Sequence, residues 1–172
     1  MGKGSHGFTL IELIVVMAII GMVATLGAGS YQSSLKRARD AQRKADLQQV
    51  RGALEMYRAD YGVYPSSGGA WRGTCSGFGS YSTSGANGYI PNLAPTYIEK
   101  LPTDPRNNQS YVPCNSGPST CYLYNSNGQD YKLLAHCSPE APNAYVSSDP
   151  FYDPTRPTWA WQVHSGPNSA NW

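Results

Sequence analysis

From Phe8 to Leu35 the chain carries two ionisable side chains, Glu12 and Tyr31, and no proline stands before Pro65. The stretch Phe8–Gly29 is apolar on every side. As a helix rising ~1.5 Å per residue it is long enough to cross a hydrocarbon layer of ~30 Å. A cleavable secretory signal has a shorter apolar region that ends in a small-x-small site. Ala24-Thr25-Leu26 supplies no such site and the run leads directly into a helical pattern, so it reads as retained.

Past Gly29 the helical period persists. Leu47, Val50, Leu54, Tyr57 and Tyr61 recur at spacings of three and four, which places them on one face. Tyr31, Leu35, Ala38 and Ala45 extend that face backward with smaller side chains. Seven Lys/Arg fall between Lys36 and Arg58. Lys36, Arg37, Arg39, Asp40, Arg43, Lys44 and Asp46 are assigned to the solvated surface, with Asp40 and Lys44 as an i,i+4 pair. Gly62 followed by Pro65 is a stop signal. The expectation is one helix from about Phe8 to about Tyr61, roughly 80 Å long. Its first half requires lipid or other copies of itself, and its second half requires a domain on one side.

Glu12 is the exception in the apolar run. An ionised carboxylate near a bilayer centre costs ~2.5–3.5 kcal/mol on insertion scales, and less near an interface. Either Glu12 reaches water at the membrane edge, or it meets a cation from a neighbouring chain. Cutting after Gly7 would give Phe8 a new amino group four residues before Glu12. Pairing that amine with a carboxylate offsets much of the desolvation of both.

Gly7-Phe8-Thr9-Leu10-Ile11-Glu12 and the apolar helix behind it resemble the leader junction of type IV pilins and of the related type II secretion pseudopilins. The likeness covers about Met1 to Pro65, including Tyr57-Arg-Ala-Asp-Tyr-Gly-Val-Tyr-Pro65. It implies a leader of residues 1–7, removed between Gly7 and Phe8 by prepilin peptidase, and methylation of the Phe8 amine. It also implies that Glu12 neutralises the Phe8 amine of an adjacent subunit during assembly. Many relatives have a proline where Gly29 stands; Gly27 and Gly29 weaken a helix more mildly, Gly being ~1 kcal/mol worse than Ala. The implied orientation puts the leader inside and the domain outside. Charge alone argues the reverse, since Lys3 faces five Lys/Arg between Lys36 and Lys44.

Beyond residue 62 the chain reads as a globular domain of residues 63–172. Residues 66–84 form a Ser/Gly-rich loop region with Trp71, Cys75, Phe78 and Tyr81 scattered through it. A short helical turn is expected near Pro95–Leu101, then strands at about 110–113, 121–125 and 131–136. Asn127-Gly128 is a hairpin signal between the last two. Such a small antiparallel sheet requires a helix against one face, and the Leu47–Tyr61 stripe is available. In the tail, Trp159 and Trp161 would share one face if extended, and they are expected to cover the sheet or the domain edge.

Cys75, Cys114, Cys121 and Cys137 allow three pairings. No close-spaced pair suited to zinc occurs, and two disulfides fit a modestly hydrophobic domain in an oxidising compartment. The favoured pairing is Cys114–Cys121, bridging neighbouring strands, with Cys75–Cys137 tying the long loop to the last strand. Asp149 and Asp153 offer carboxylates to a calcium ion, as a C-terminal loop does in some pseudopilins, although a plain turn is the simpler reading. Asn108-Gln109-Ser110 fits a glycosylation acceptor.

A net charge of +2 and 14% charged residues do not suggest a nucleic-acid-binding surface. The three histidines His6, His136 and His164 form no metal-binding pair, and no nucleophile elbow or phosphate loop is present. No cofactor or catalysis is expected. The fold class is α+β: an apolar transmembrane helix half (8–29), an amphipathic half (30–62), and a small antiparallel sheet in the domain. The leading functional reading is a structural subunit polymerising into a type IV pilus or related filament. Its partners would be other copies of itself, prepilin peptidase, the membrane before assembly, and an inner-membrane assembly platform and motor. Its location would be a single-pass membrane precursor and then a cell-surface filament. A pseudopilin of a secretion or DNA-uptake system is the near alternative. A monomeric membrane-anchored binding domain and a secreted hydrolase are the more distant ones.

Overall fold

The computed structural model describes residues 7–109, 114, 120–141 and 144–172, leaving the side chains of residues 25–29 aside. Helix α1, Leu10–Tyr61, runs unbroken for 52 residues, about 80 Å. Thr9 starts it, with its hydroxyl accepting from the Glu12 amide. Gly62 ends it in the left-handed region (φ 74°), with its N–H donating to the Arg58 carbonyl at 2.8 Å. Among the described residues no helix is long and apolar enough to cross a membrane; the described side chains of the apolar run stop at Ala24.

Leu47, Val50, Ala53 and Leu54 are buried as the period requires, and Tyr57 packs beside them. Tyr61 departs from the expected stripe: it is exposed and leans on the Tyr57 ring. The backward continuation also needs correcting. Tyr31, Ala38 and Ala45 are exposed, while Asp40 and Arg43, assigned to solvent, are buried at 5% and 0% exposure. The buried face does continue at helical spacing through positions 40, 43, 47, 50 and 54. It continues in charged residues because the domain presents opposite charges there.

The sheet has the order β1-β2-β3-β4, every neighbouring pair antiparallel. Its strands are β1 (Arg72–Gly73), β2 (Cys121–Ser126), β3 (Tyr131–His136) and β4 (Ala160–His164). The expected strands over 121–125 and 131–136 are β2 and β3; that over 110–113 lies outside the described residues. The β2–β3 connection turns where Asn127 and Gly128 stand. The Asn127 carboxamide oxygen accepts from the amides of Gln129 and Asp130, and Gly128 takes φ 91°. Near Pro95–Leu101 there are only turns, with one helical-type bond from the Tyr97 amide to the Leu93 carbonyl.

One face of the sheet, through Tyr122, Tyr124, Leu133, Ala135 and Trp161, shares a core with α1 and with Tyr89, Ile90 and Leu93. The other face carries Leu123 and Leu134 beneath Trp71 and Phe78. Trp159 and Trp161 do not share a face. The chain turns through residues 154–159 instead of extending, so Trp161 enters the helix-side core while Trp159 packs against His136 on the opposite face.

The disulfides are Cys75–Cys121 and Cys114–Cys137, not the pairing expected from the sequence. Strand β1 explains the difference. Gly73 lies opposite Leu123, so two further steps along both strands bring Cys75 against Cys121. The β2–β3 register, with Cys121 opposite His136, then leaves Cys137 at the strand end, where it meets Cys114.

Candidate functional site

Two features of α1 have functional bearing: its exposed first half and the clamp that fixes its second half to the domain. Phe8, Leu10, Ile11, Leu13, Ile14, Val15, Val16, Met17, Ile19, Ile20, Met22 and Val23 are all at least half exposed. Phe8 reaches 88%. This surface lies on a helix whose far half is locked into a folded core, so it is displayed rigidly.

Within one chain Glu12 is not isolated. Its carboxylate Oε2 accepts from the Thr9 amide at 2.9 Å and from the Thr9 hydroxyl at 2.7 Å, and its own amide donates back to Thr9 Oγ1 at 3.3 Å. Thr9-Leu10-Ile11-Glu12 is thus a capping box, which satisfies the first donors of the helix. The spacing was readable in the sequence, and its role for Thr9 was missed. Both bonds land on Oε2, so Oε1 accepts neither. Gly7, two residues before Thr9, is exposed, with nothing within 4 Å of where a side chain would start.

The clamp lies where the amphipathic half enters the domain. Arg43 bonds Asp104 through Nε at 2.8 Å and Nη2 at 3.0 Å, Asp40 through Nη1 at 2.7 Å, and Glu140 through Nη2 at 2.8 Å. Arg39 holds both Glu140 oxygens, at 2.8 and 2.5 Å, and Arg106 adds a third cation at 3.3 Å. Asp40 accepts the main-chain amides of Glu140 and Ala141. Burial would raise the Glu140 carboxyl, but Arg39 and Arg43 outweigh it and hold it down at about 2. Burial likewise disfavours the Arg43 charge, and its carboxylate partners more than reverse this, so its proton is held more tightly than usual. Tyr122 donates to Asp46 at 2.6 Å and stiffens the same seam. Lys44 pairs with Asp149, not with Asp40, and lies over the Trp161 ring at 4.5 Å.

Asp149 and Asp153, the calcium candidates, are each engaged by cations of the chain. Asp149 takes Lys44 and the Phe151 amide. Asp153, fully buried, takes Lys132 at 3.1 Å and Arg156 at 3.2 Å, together with the Thr155 hydroxyl. Lys132, which no sequence pattern singled out, also donates to the main-chain oxygens of Ala170 at 2.8 Å and Trp172 at 3.0 Å. The Asn108 side-chain oxygen accepts from the Ser76 amide.

A rigid helix, apolar and exposed at one end and clamped to a disulfide-bonded antiparallel sheet at the other, defines a pilin-like structural subunit. Residues 2–28 match the prokaryotic N-terminal methylation motif, and residues 30–134 match the type II secretion system protein G family. The chain is 31% identical over 132 residues to the type II secretion system core protein G of Pseudomonas aeruginosa, covering 74% of this chain and 88% of that one. It is 33% identical over 133 residues to the core protein G of Escherichia coli K12, covering 74% and 84%. Fimbrial protein EcpC of Eikenella corrodens is 34% identical over 90 residues, 49% of this chain and 59% of that protein. No solved structure matches. The chain belongs to the type II secretion system protein G family; it is a pilin-like filament subunit and not an enzyme.

Proposed function

We propose that the chain is made as a membrane-anchored precursor, cut between Gly7 and Phe8 by prepilin peptidase, methylated at the Phe8 amine, and assembled helix against helix into a pseudopilus of a type II secretion system. The single observation carrying this reading is the exposed apolar surface from Phe8 to Val23 on a helix fixed to a folded domain. Residues 8–29 span about 33 Å as a helix, which suits an anchor before assembly. Moving them from lipid into a bundle of like helices yields little hydrophobic gain, so packing and polar pairing must favour the bundle. Glu12 supplies the polar part by meeting the Phe8 amine of the next subunit with the carboxylate oxygen that its own cap leaves unused. The inner-membrane platform and motor are the partners that extract it. A longer, surface-displayed pilus is the second reading, favoured by the likeness to a fimbrial protein.

The test is the N-terminal mass of the protein in purified filaments, combined with the yield of filaments from Glu12→Ala. The expected result is a methylated chain beginning at Phe8 and a clear fall in filament yield at unchanged cellular protein. Filaments built from a chain that keeps residues 1–7, or an unchanged yield without the carboxylate, overturn the reading.

A further inference from the structure

At the end of β3, His136 and Cys137 break the alternation of a strand. Successive strand residues point to opposite faces, but Cys137 takes φ 55°, in the left-handed region that non-glycine residues seldom enter. Its sulfur thereby folds back onto the same side as the His136 ring, with Sγ 3.2 Å from Nδ1. The ring is held edge-on between Phe78 and Trp159, each with its centroid 5.0 Å away. Cys114 completes the group as the disulfide partner of Cys137. The ligand atoms of Cys114, His136 and Cys137 all lie within 4.8 Å of one another. His136 and Cys137 are buried and Cys114 is half-buried.

We propose that reduction of the Cys114–Cys137 disulfide converts this group into a binding site for a borderline-soft divalent cation such as Zn2+, with two thiolates and the His136 imidazole as ligands. A dithiol reductant supplies two electrons and two protons, becoming a disulfide itself, and leaves two thiols. The cation then displaces both thiol protons. Tetrahedral zinc, with Zn–S near 2.3 Å and Zn–N near 2.0–2.1 Å, sets its ligand atoms about 3.5–3.8 Å apart. Cys137 Sγ lies 3.2 Å from His136 Nδ1 and 3.8 Å from Nε2, near that separation but off the axis of the Nδ1 lone pair. The required movements are a separation of the two sulfurs, which falls to the less buried Cys114, and a turn of the His136 ring that aims Nδ1 at the cation. The fourth position is left to water, as in sites with three protein ligands. The cation would occupy the place of the covalent bond, holding Cys114 to the end of β3 while the chain is reduced.

The full chain in detergent micelles, treated with a dithiol and then freed of it without air, is titrated with Zn2+ against a chromogenic chelator and separately with Co2+. The expected result is one equivalent bound, with a cobalt–thiolate charge-transfer band that the oxidised chain lacks. His136→Phe keeps a ring between Phe78 and Trp159 but offers no nitrogen ligand; it should weaken zinc binding at least ~10-fold. His136→Cys should restore it. Circular dichroism of the reduced variants confirms that all retain the fold. No uptake after reduction, or uptake equal in His136→Phe, which would place the metal at Cys75 and Cys121 instead, overturns the proposal.

Discussion

Arg43 and Asp104 are joined by two parallel hydrogen bonds, Nε to Oδ2 and Nη2 to Oδ1, and both side chains are fully withdrawn from solvent. The fork fits the carboxylate plane in a way a lysine ammonium does not. This contact fixes the rotation of α1 on the domain, and hence the direction in which the exposed apolar half projects.

Replacing Arg43 with Met removes the cation from between Asp104, Asp40 and Glu140, leaving buried negative charge uncompensated. The expected loss is about 3–5 kcal/mol. Arg43→Lys should recover only part of it, because one ammonium cannot reproduce the forked contact. Chemical denaturation of the full chain in detergent measures both. A loss below about 1 kcal/mol for Arg43→Met would show that the clamp does not hold the helix.

Acid should loosen the same clamp. Glu140 titrates at about 2 in the folded chain, below its ordinary 4.5. Its contribution is therefore complete above about pH 4.5 and is lost as pH falls toward 2. The melting temperature should drop through that window, and Glu140→Gln should be less stable at neutral pH with a shallower acid dependence. Identical acid slopes for the two proteins would contradict this assignment.

These contacts show where the sequence was legible. The long helix was readable because an apolar run without proline, the spacing of three and four behind it and the Gly62 stop agree, and β2–β3 because Asn127-Gly128 marks its turn. The clamp was not, since Asp40 and Arg43 look like any solvated charges until Asp104 and Glu140, far along the chain, are brought opposite them. The same non-locality hid β1. Two residues in a Ser/Gly-rich loop carry no periodicity, and without β1 the cysteine pairing could not be read. At the helix start the reverse holds: Thr9 and Glu12 are local, and their capping spacing was visible but overshadowed by the odd carboxylate.

Lys132 holds the segment Asp153–Trp172 through a second buried ion group. Its ammonium reaches Asp153, Thr155 and the main-chain oxygens of Ala170 and Trp172. Burial pulls its proton affinity down, and Asp153 works against that. Lys132→Met keeps the aliphatic bulk but leaves Asp153 with Arg156 as its one remaining cation among the described residues, so a loss of about 3–5 kcal/mol is expected. Amide exchange should accelerate first in α2 (Pro167–Ala170) and in β4. Exchange that rises uniformly over the domain, or not at all, would refute a local tether.

Gly73 tests the short strand that the sequence concealed. A Cβ there would sit 2.5 Å from Leu123 Cδ2, 3.0 Å from the Tyr122 carbonyl oxygen and 3.2 Å from Cys121 Sγ. The leucine methyl can move, but the carbonyl belongs to β2 and cannot shift without disturbing the ladder. Gly73→Val should therefore cost about 1–3 kcal/mol, as overpacking of a filled site does. It should also push β1 off β2, and since that pairing aligns Cys75 with Cys121, formation of this disulfide on refolding should slow while Cys114–Cys137 forms as before. Timed acid quenching followed by peptide mass mapping separates the two bonds. If both close at the rates of the unaltered chain, the β1–β2 register does not direct the pairing.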